Sequence, residues 1–268
     1  MEIKNKNFDA GKAFDWGRTS GDYAAYRDIY PPVFYQKIVE RGLCISGQKV
    51  LDLGTGTGVL PRNMYSYGAD WTGTDISENQ ILQAKRLADQ AGMDIEFITV
   101  PTEEIEFSSN TFDVVTACQC FWYFDHKRVM PLISNILTVQ GKLLILYMAW
   151  LPFEDRIAGA SEELVLKYSP NWTGARETRK PIWLPDVVYD YFEMVDHEEY
   201  DVMVPFTKET WHGRMRACRG VGASLSENEL AQWDREHRAL LGEIAPDEFE
   251  VLHYAAMAVL SPRSTSRI

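Results

Sequence analysis

The stretch KVLDLGTGTGVL, residues 49–60, is the most informative part of the chain. An apolar strand runs directly into three alternating glycines at positions 54–58. A dinucleotide-binding loop has the pattern G-x-G-x-x-G, in which the third glycine lets the next helix pack closely on the strand. Val59 stands at that third position, so the dinucleotide pattern fails. The spacing predicts a turn whose backbone approaches a ligand at the carboxyl end of a strand.

Two acidic residues accompany this turn. Asp52 lies inside the strand, and Asp75 lies in the segment GTDIS, residues 73–77, at the end of the next predicted strand. In open α/β sheets, an acidic residue about twenty positions further on accepts hydrogen bonds from ribose hydroxyls. The two features together predict a site for a nucleoside-containing ligand.

Apolar strands alternate with helices from residue 48 onward, and two more strands follow later. The predicted strands are KVLDL (49–53), DWTGTD (70–75), DIEFITV (94–100), FDVVTAC (112–118), GKLLILYMA (141–149), HEEYDVMVPF (197–206) and FEVLHYAAMAVL (249–260). Strands with little charge that alternate with helices indicate a parallel sheet covered on both faces. We therefore predict an α/β, Rossmann-like fold with a seven-stranded, mostly parallel sheet.

Helix boundaries have their own sequence markers. Ser77 with Gln80 predicts a capping box at a helix start, and Gly92 predicts the end of that helix. Ser226 with Glu229 predicts a second capping box, at the start of a long helix.

We expect a single domain, residues 1–268, with an inserted cap between the fifth and sixth strands. The expected parts are N-terminal helices (1–47), a core that carries the predicted nucleoside site (48–150), the cap (151–196), and C-terminal strands and helices (197–268). The cap is expected because prolines, tryptophans and mixed charge replace the clean periodicity of the core.

The composition of the chain restricts the classes of partner that it is expected to bind. The chain has 268 residues with 46% hydrophobic and 25% charged residues, as in ordinary globular proteins. Its net charge of −12 disfavours nucleic acid and anionic membranes and favours a small-molecule partner. The apolar run LLILYMAW (143–150) is too short to span a bilayer. Its four cysteines form no Cys-x-x-Cys pair, so we expect reduced cysteines in the cytoplasm and no metal site.

The motifs resemble those of class I S-adenosylmethionine-dependent methyltransferases. VLDLGTGTG (50–58) is similar to the first motif of that family and GTDIS to its second. The segment TEEIEFSSNTFDVVTACQCFWYFD (102–125) resembles the part from the adenine-contacting loop through the fourth strand, and YAAYRDIYPP (23–32) resembles an N-terminal lid. The resemblance covers roughly residues 20–150. It is greatest to the broad group that includes quinone-biosynthesis and trans-aconitate methyltransferases.

The resemblance implies S-adenosyl-L-methionine as cofactor. The residues that it implies for the cofactor site are Tyr26, Arg27, Asp52, Gly54, Thr55, Gly56, Gly58, Asp75, Ile76, Gln80, Thr102, Glu103 and Gln119. Asp52 and the glycine turn would face the methionine part, and Gln119 its amino group. Asp75 would hold the ribose hydroxyls, while Ile76 packs on the adenine.

The remaining implied positions lie at the two ends of the cofactor. Thr102 and Glu103 would border the adenine, and Pro101 stands where many relatives have an acidic residue, so backbone amides are expected to recognise that base. Tyr26 and Arg27 would close over the carboxylate end, although an arginine beside aromatic residues is as often part of a surface ion pair.

Candidate acceptor-binding residues are aromatic or basic. Trp122 and Tyr123 follow the fourth strand, at the ligand-binding edge, and Trp150 begins the cap. The alternative for these three residues is a packing role in the core, which is the usual role of tryptophan in globular proteins.

A second set of candidates lies in TWHGRMRACRG, residues 210–220, which predicts a short helix from about position 208 to 219. Helical spacing clusters His212, Arg216 and Arg219 beside an apolar face, whereas Arg214 points away. Two hypotheses stay open for the cluster: a solvated basic face, or a clamp for an anionic group of the acceptor.

Methyl transfer is expected to proceed by in-line displacement, which mainly requires alignment and exclusion of water. No residue identifies itself as a general base, and His126 is expected to be an exposed histidine at a helix start. The catalytic residues are therefore unassigned. Two alternatives remain: an NAD(P)-dependent oxidoreductase on a related sheet, and a non-catalytic cofactor-binding protein. Titration with both kinds of cofactor distinguishes the oxidoreductase from a methyltransferase. A protein that binds the cofactor but has no acceptor in any extract would be the non-catalytic protein.

Overall fold

The computed structural model describes residues 3–263. Within that range the strands are β1 Lys49–Leu53, β2 Asp70–Asp75, β3 Glu96–Thr99, β4 Phe112–Cys118, β5 Leu137–Trp150, β6 Phe192–Thr207 and β7 Glu248–Pro262. These seven strands form one sheet in the order β3-β2-β1-β4-β5-β7-β6. The pairs β1–β2, β1–β4, β2–β3 and β4–β5 are parallel. The predicted fold, a mostly parallel seven-stranded α/β sheet, is confirmed.

Helices connect and flank these strands. They are α1 Ser20–Tyr26, α2 Pro32–Glu40, α3 Val59–Met64, α4 Glu78–Gln90, α5 His126–Ile136, α6 Arg156–Tyr168, α7 Asp186–Tyr191, α8 Lys208–Arg216 and α9 Glu227–Ile244. The capping box at Ser226 and Glu229 is confirmed. Ser77 does precede α4, but its side chain accepts no capping hydrogen bond, so the capping box predicted there is wrong. Gly92, with a φ of 64°, follows the end of α4 as predicted.

Strand register explains why polar side chains gather at one edge of the sheet. In β1, all residues after Lys49 are buried, and Asp52 lies opposite Gly73 of β2 and Thr116 of β4. Because parallel strands end at the same edge, the segments that follow β1, β2 and β4 lie side by side. This edge is where open α/β sheets bind their ligands.

The segment expected to be a cap, residues 151–196, contains two helices and the start of a strand. Helix α6 occupies Arg156–Tyr168 and is capped by Asp155, whose side chain accepts hydrogen bonds from the backbone N–H groups of Ile157 and Ala158. Helix α7 follows at Asp186–Tyr191, and β6 already begins at Phe192. That this segment forms a cap stays a prediction.

The described residues cluster into two compact units. One unit comprises Ala149–Arg179, Asp201–Tyr254 and the described part of Met1–Tyr30. The other comprises Pro31–Met148, Lys180–Tyr200 and the described part of Ala255–Ile268, and it contains the glycine turn. We call them the first and the second unit.

Residues 3–263 include no helix that is both long and apolar enough to cross a membrane. Over the same range, no cluster of three or more histidine, cysteine or acidic side chains is arranged to hold a metal ion. The four cysteines are free; Cys44 and Cys218 are buried, and Cys118 and Cys120 are partly buried.

Candidate functional site

The three glycines of the turn have different local reasons to be glycine. All three have left-handed backbone angles, with φ of 58° at Gly54, 57° at Gly56 and 72° at Gly58. A Cβ at Gly54 would lie 2.8 Å from the Cβ of Cys120, and one at Gly58 would lie 2.8 Å from the ring of Phe97. At Gly56 the nearest heavy atom to such a Cβ would be 4.0 Å away. Packing therefore requires two of the glycines, while the space above Gly56 is open.

Asp52, in β1, stabilises the turn that follows this strand. It is 2% exposed, and its carboxylate accepts hydrogen bonds from the Thr55 hydroxyl at 2.7 Å and the Thr116 hydroxyl at 2.6 Å. Burial raises the pKa of Asp52 to about 6, although the two hydroxyls oppose the shift. Thr116 was not predicted as a site residue. Its place opposite Asp52 on the adjacent strand is the feature that identifies it.

Asp75 connects the end of β2 to the turn after β1. Its Oδ2 accepts from the backbone N–H of Gly56 at 2.9 Å, and its Oδ1 accepts from that of Ser77 at 2.8 Å. Burial raises the pKa of Asp75, and these two backbone donors oppose the rise. Each carboxylate oxygen has two lone pairs, so both oxygens retain capacity to accept from a pair of hydroxyls.

Other predicted cofactor residues surround this edge. Ile76 is half-buried, and Gln80 is buried on α4. Thr102 is buried in a short 3₁₀ turn, Thr102–Glu104. The carboxylate of Glu103 accepts from the backbone N–H of Asp125 at 2.8 Å, so it already has a partner within the chain.

Gln119 sits directly after β4 in a strained conformation. Its φ is 70°, a left-handed angle that is uncommon for residues other than glycine. Its backbone N–H donates to the carbonyl of Leu146 at 2.9 Å, and its side-chain amide donates to that of Met148 at 2.5 Å. Strain of this kind clusters at ligand sites. The turn, Asp75 and Gln119 thus follow three adjacent strands at one sheet edge.

The aromatic residues after β4 are only partly covered. Trp122 donates its indole N–H to the carbonyl of Trp183 at 3.1 Å and makes an edge contact with Tyr147 at 5.2 Å. Trp122 and Tyr123 belong to the 3₁₀ turn Phe121–Tyr123, in which Tyr123 is half-buried. His126 begins α5 as predicted, but it is half-buried rather than exposed. Burial lowers its pKa, and its Nε2 lies 3.0 Å from the carbonyl of Phe121.

Tyr26 and Arg27 belong to the first unit. The Tyr26 hydroxyl donates to Glu209 at 3.2 Å, and its ring packs against the backbone at Gly213. The Arg27 guanidinium lies 4.8 Å from the centre of the Tyr23 ring. Their expected contact with the cofactor stays a prediction.

The basic cluster differs from both sequence hypotheses. Helix α8 ends at Arg216, so Arg219 lies beyond it and does not join the cluster. Arg216 pairs with Asp234 at 3.0 Å and with Asp22 at 2.5 Å.

The buried Arg219 pairs with Asp9 at 2.7 Å, and it also donates to the Thr173 hydroxyl at 2.6 Å. The interpretation as a solvated basic face is wrong. Arg216 and Arg219 are already paired with carboxylates of the chain. The structure therefore gives no support to the hypothesis that these two residues bind an anionic group of the acceptor.

His212 belongs to a buried hydrogen-bonded chain. Its Nε2 lies 3.2 Å from Asp234 and its Nδ1 3.0 Å from Nδ1 of His237, whose Nε2 lies 3.0 Å from the Ser161 hydroxyl. Trp211 donates its indole N–H to that same hydroxyl at 2.9 Å. Burial lowers the pKa of His212 to about 4 and that of His237 to about 3, so both rings are neutral at pH 7.

One arrangement of protons satisfies every link of this chain. Trp211 donates to Ser161, Ser161 to His237, His237 to His212, and His212 to Asp234. Each neutral imidazole then donates once and accepts once. His212 is thus a structural residue of the first unit.

Trp150 is 5% exposed and donates its indole N–H to Glu162 at 2.8 Å. It packs against Trp172 and Trp211, with ring centres 6.2 and 5.7 Å away. These contacts give it a packing role, and its contact with the acceptor stays a prediction. Arg214, which was expected to point away from the cluster, is buried against the Trp150 ring.

Known proteins share the region around the glycine turn. Residues 50–141 match the family described as "Methyltransferase domain". The ubiquinone biosynthesis O-methyltransferase of Coxiella burnetii (strain RSA 331 / Henzerling II) is 29% identical over 151 residues, covering 53% of this chain and 64% of that protein. The protein of the same name from Bordetella avium (strain 197N) is 33% identical over 148 residues, covering 54% and 61%. The chain thus spans less than two thirds of the length of these curated relatives.

Solved structures share the fold at low identity. Phospholethanolamine N-methyltransferase 2 of Haemonchus contortus, in complex with phosphomonomethylethanolamine and S-adenosylhomocysteine, has a TM-score of 0.53 and 20% identity, covering 91% of this chain and 58% of that one. The [4+2]-cyclase SpnF has a TM-score of 0.52 and 18% identity, covering 85% and 79%. Likeness at this level shows the fold alone.

The matched range includes the glycine turn and Asp75 at the end of β2. Residues 50–141 are a methyltransferase domain, and about half of the chain is similar in sequence to ubiquinone biosynthesis O-methyltransferases.

Proposed function

We propose that the protein transfers a methyl group from S-adenosyl-L-methionine to a small-molecule acceptor by in-line displacement. The observation that carries the proposal is the pairing of Asp75 with the Gly56 N–H beside the open space at Gly56. A carboxylate fixed in this way, at the end of the second strand, suits the two hydroxyls of a ribose. The H. contortus neighbour was solved with S-adenosylhomocysteine, which supports the choice of cofactor.

The residues present fit this cofactor. Asp75 would accept from the ribose hydroxyls, and the backbone at Gly56 would lie against the ligand because no side chain fills that space. Gln119 would meet the amino group of the methionine part, and Thr102 with Glu103 would border the adenine. When bound, S-adenosyl-L-methionine supplies a methyl group on a positively charged sulfur.

The contribution of the protein to transfer is alignment and exclusion of water. Asp52 and the threonines bonded to it fix the turn, so the ligand meets a preorganised backbone. A general base is needed only for an acceptor that must lose a proton. No catalytic residue is assigned, and His126 is not proposed as a base.

The acceptor is proposed to be a small molecule. The curated relatives are named ubiquinone biosynthesis O-methyltransferases, which supports a small organic acceptor. The net charge of −12 disfavours nucleic acid. Trp122 and Tyr123 are proposed to contact the acceptor because they are partly exposed after β4. Reduced cysteines support the cytoplasm as the compartment.

Transfer of labelled methyl groups tests this proposal. Purified protein is incubated with S-adenosyl-L-methionine carrying an isotope-labelled methyl group and with fractionated metabolite pools. We expect label in at least one small molecule, and much less with Asp75→Asn. Cofactor binding without labelling of any pool would favour a non-catalytic protein and contradict the proposal.

A further inference from the structure

Arg214 is a buried cation without an acidic partner. It is 4% exposed, and it does not lie within 4.0 Å of any carboxylate oxygen in residues 3–263. One terminal nitrogen donates to the sulfur of Cys218 at 3.2 Å, while Nε has no hydrogen-bond partner in the described chain. The guanidinium carbon lies 4.9 Å from the centre of the Trp150 ring. A thiol is a weak acceptor and an indole carries no net charge, so the positive charge is not neutralised.

The neighbouring arginines show how unusual this is. Arg216 pairs with two carboxylates, and the buried Arg219 pairs with Asp9. Removing a charge from water is costly unless the charge is paired and hydrogen-bonded. A cation–π contact offsets only part of that cost. The fold therefore retains at Arg214 a charge that its own residues do not compensate.

A second cation lies nearby instead of an anion. Besides burial, which is the larger cause, the positive charge of Arg27 lowers the pKa of Arg214. Gly213 brings α1 and α8 close together, because its missing side chain leaves room for the Tyr26 ring. Arg27 directly follows α1 and lies four positions after Tyr23, and its guanidinium packs on the Tyr23 ring. Two guanidinium groups thus approach each other within the first unit.

His253 provides a second polar atom without a partner. It is fully buried, and its Nδ1 lies 2.9 Å from the carbonyl of Val251, so Nδ1 carries the proton. Burial lowers the pKa of His253 to about 3, which leaves Nε2 as an acceptor, and Nε2 has no hydrogen-bond partner in the described residues. The His253 ring packs edge-on to Trp150, with centres 6.5 Å apart. One indole is therefore flanked by an unpaired cation and by an unpaired acceptor.

We propose that Arg214 binds a compact anionic group of a small-molecule ligand, a carboxylate or a phosphate, and that His253 accepts a hydrogen bond from a hydroxyl or amine of the same molecule. Both residues belong to the first unit. An anion would neutralise Arg214 and accept from its unpaired Nε, and a planar guanidinium suits both groups. The ligand class is thus a small organic anion that also carries a hydrogen-bond donor.

Binding of simple anions to the full chain tests the inference. Thermal unfolding and calorimetry follow acetate, glycolate and inorganic phosphate at constant ionic strength, with wild type, Arg214→Met and Arg214→Lys. The matched control is Arg238→Met, which removes the same charge from an exposed arginine paired with Glu209. We expect a saturable rise in the Tm of wild type and of the control, and at least a tenfold loss of affinity in Arg214→Met. Lysine should keep part of the response.

Comparison of the three anions identifies the chemical groups that the site recognises. A stronger response to phosphate than to carboxylates identifies a phosphate ligand, and a stronger response to glycolate than to acetate supports the hydroxyl contact at His253. Without anion, Arg214→Met should be at least as stable as wild type, because it removes an uncompensated charge. If that variant does not fold, Arg214→Lys with its weakened response carries the test.

Two results would overturn the anion site: a wild-type Tm that none of the three anions raises, or an Arg214→Met response equal to that of wild type. S-adenosylhomocysteine binding is measured on the same proteins. If wild type binds S-adenosylhomocysteine and no anion, only the anion site is wrong. If it binds anions through Arg214 and no S-adenosylhomocysteine, the proposed function is wrong.

Discussion

The backbone N–H of Gly56 donates to Oδ2 of Asp75 at 2.9 Å, so the carboxylate that ends β2 fixes the turn that follows β1. The same carboxylate also accepts from the N–H of Ser77, at the start of α4. Asp75 therefore orders two neighbouring segments, and its carboxylate keeps further lone pairs that can accept hydrogen bonds. Removal of this carboxylate should lower both the stability of the folded protein and its affinity for the cofactor.

Substitution of Asp75 separates these two contributions. Asp75→Asn keeps one carbonyl oxygen as an acceptor, and Asp75→Ala keeps none. A hydrogen bond to a charged group contributes about 1.5–3 kcal/mol, so we expect at least a tenfold loss of S-adenosylhomocysteine affinity in both variants. Stability should fall further in the alanine variant. Calorimetry and urea unfolding measure the two effects. Asp70→Ala, an exposed position at the other end of β2, is the control, and wild-type affinity in Asp75→Ala would place the cofactor elsewhere.

The glycines of the turn should respond differently to the same substitution. Gly58→Ala forces a methyl group against the Phe97 ring, so we expect a large loss of stability. Gly56→Ala has the space but keeps a left-handed angle, which costs about 1–2 kcal/mol. We expect Gly56→Ala to fold and to bind S-adenosylhomocysteine more than tenfold more weakly, because the methyl group occupies the approach of the ligand. Equal effects of both variants on stability, with no effect of Gly56→Ala on binding, would disprove this division of roles.

Asp52 should make stability depend on pH. Its pKa is raised to about 6 in the folded protein, against 3.8 for the free side chain. Between those values the folded state binds more protons than the unfolded state, so the contribution of Asp52 to stability decreases as pH rises through about 6. Asn cannot ionise and resembles the protonated acid.

We therefore expect the free energy of unfolding of Asp52→Asn, minus that of wild type, to increase as pH rises from 4 to 7.5. The gain should be on the order of 2 kcal/mol, since one pKa unit corresponds to about 1.4 kcal/mol. Urea unfolding at several pH values measures it, with Asp70→Asn as a control for an exposed acid. If the free energy of unfolding of Asp52→Asn minus that of wild type stays constant or decreases as pH rises, Asp52 is not protonated in the way described.

Ser161 should be far more important for stability than its size suggests. It accepts from Trp211 and donates to His237, so Ser161→Ala leaves two buried groups without partners. Each such group costs about 1–3 kcal/mol. The matched control is Ser134→Ala, because Ser134 is equally buried in a helix and its hydroxyl has no hydrogen-bond partner within residues 3–263. Urea unfolding should show a loss of about 2 kcal/mol or more for Ser161→Ala and little change for Ser134→Ala. Similar losses would contradict the hydrogen-bonded chain.

The core of the fold was predictable because its information is local. The glycine spacing and Asp75 lie within residues 54–75, and the alternation of apolar strands with helices indicates a mostly parallel sheet. Helix α6 was missed for an equally physical reason. Its buried face is Ala158, Ser161, Glu162 and Val165, which has helical spacing but half of which is polar. Those polar residues hydrogen-bond to tryptophans, so the apolar pattern that announces a helix is absent.

The basic cluster could not be predicted because its partners are distant in sequence. Arg216 pairs with Asp22, 194 positions away, and Arg219 pairs with Asp9, 210 positions away. A helical projection cannot show that these charges are neutralised while Arg214 is not. One of the two sequence hypotheses therefore assigned an anion clamp to arginines that the fold has already paired with carboxylates.

The most direct test of the central claim is calorimetry of the wild-type protein with S-adenosylhomocysteine and, separately, with oxidised and reduced nicotinamide dinucleotides. A glycine turn without the third dinucleotide glycine, held by Asp75, should bind S-adenosylhomocysteine at one site per chain. At a hundredfold excess over Kd, the ligand should add about 2.7 kcal/mol to the free energy of unfolding. The dinucleotides should give no binding heat. Binding of a dinucleotide with equal or greater affinity, or no binding of S-adenosylhomocysteine, would contradict the account.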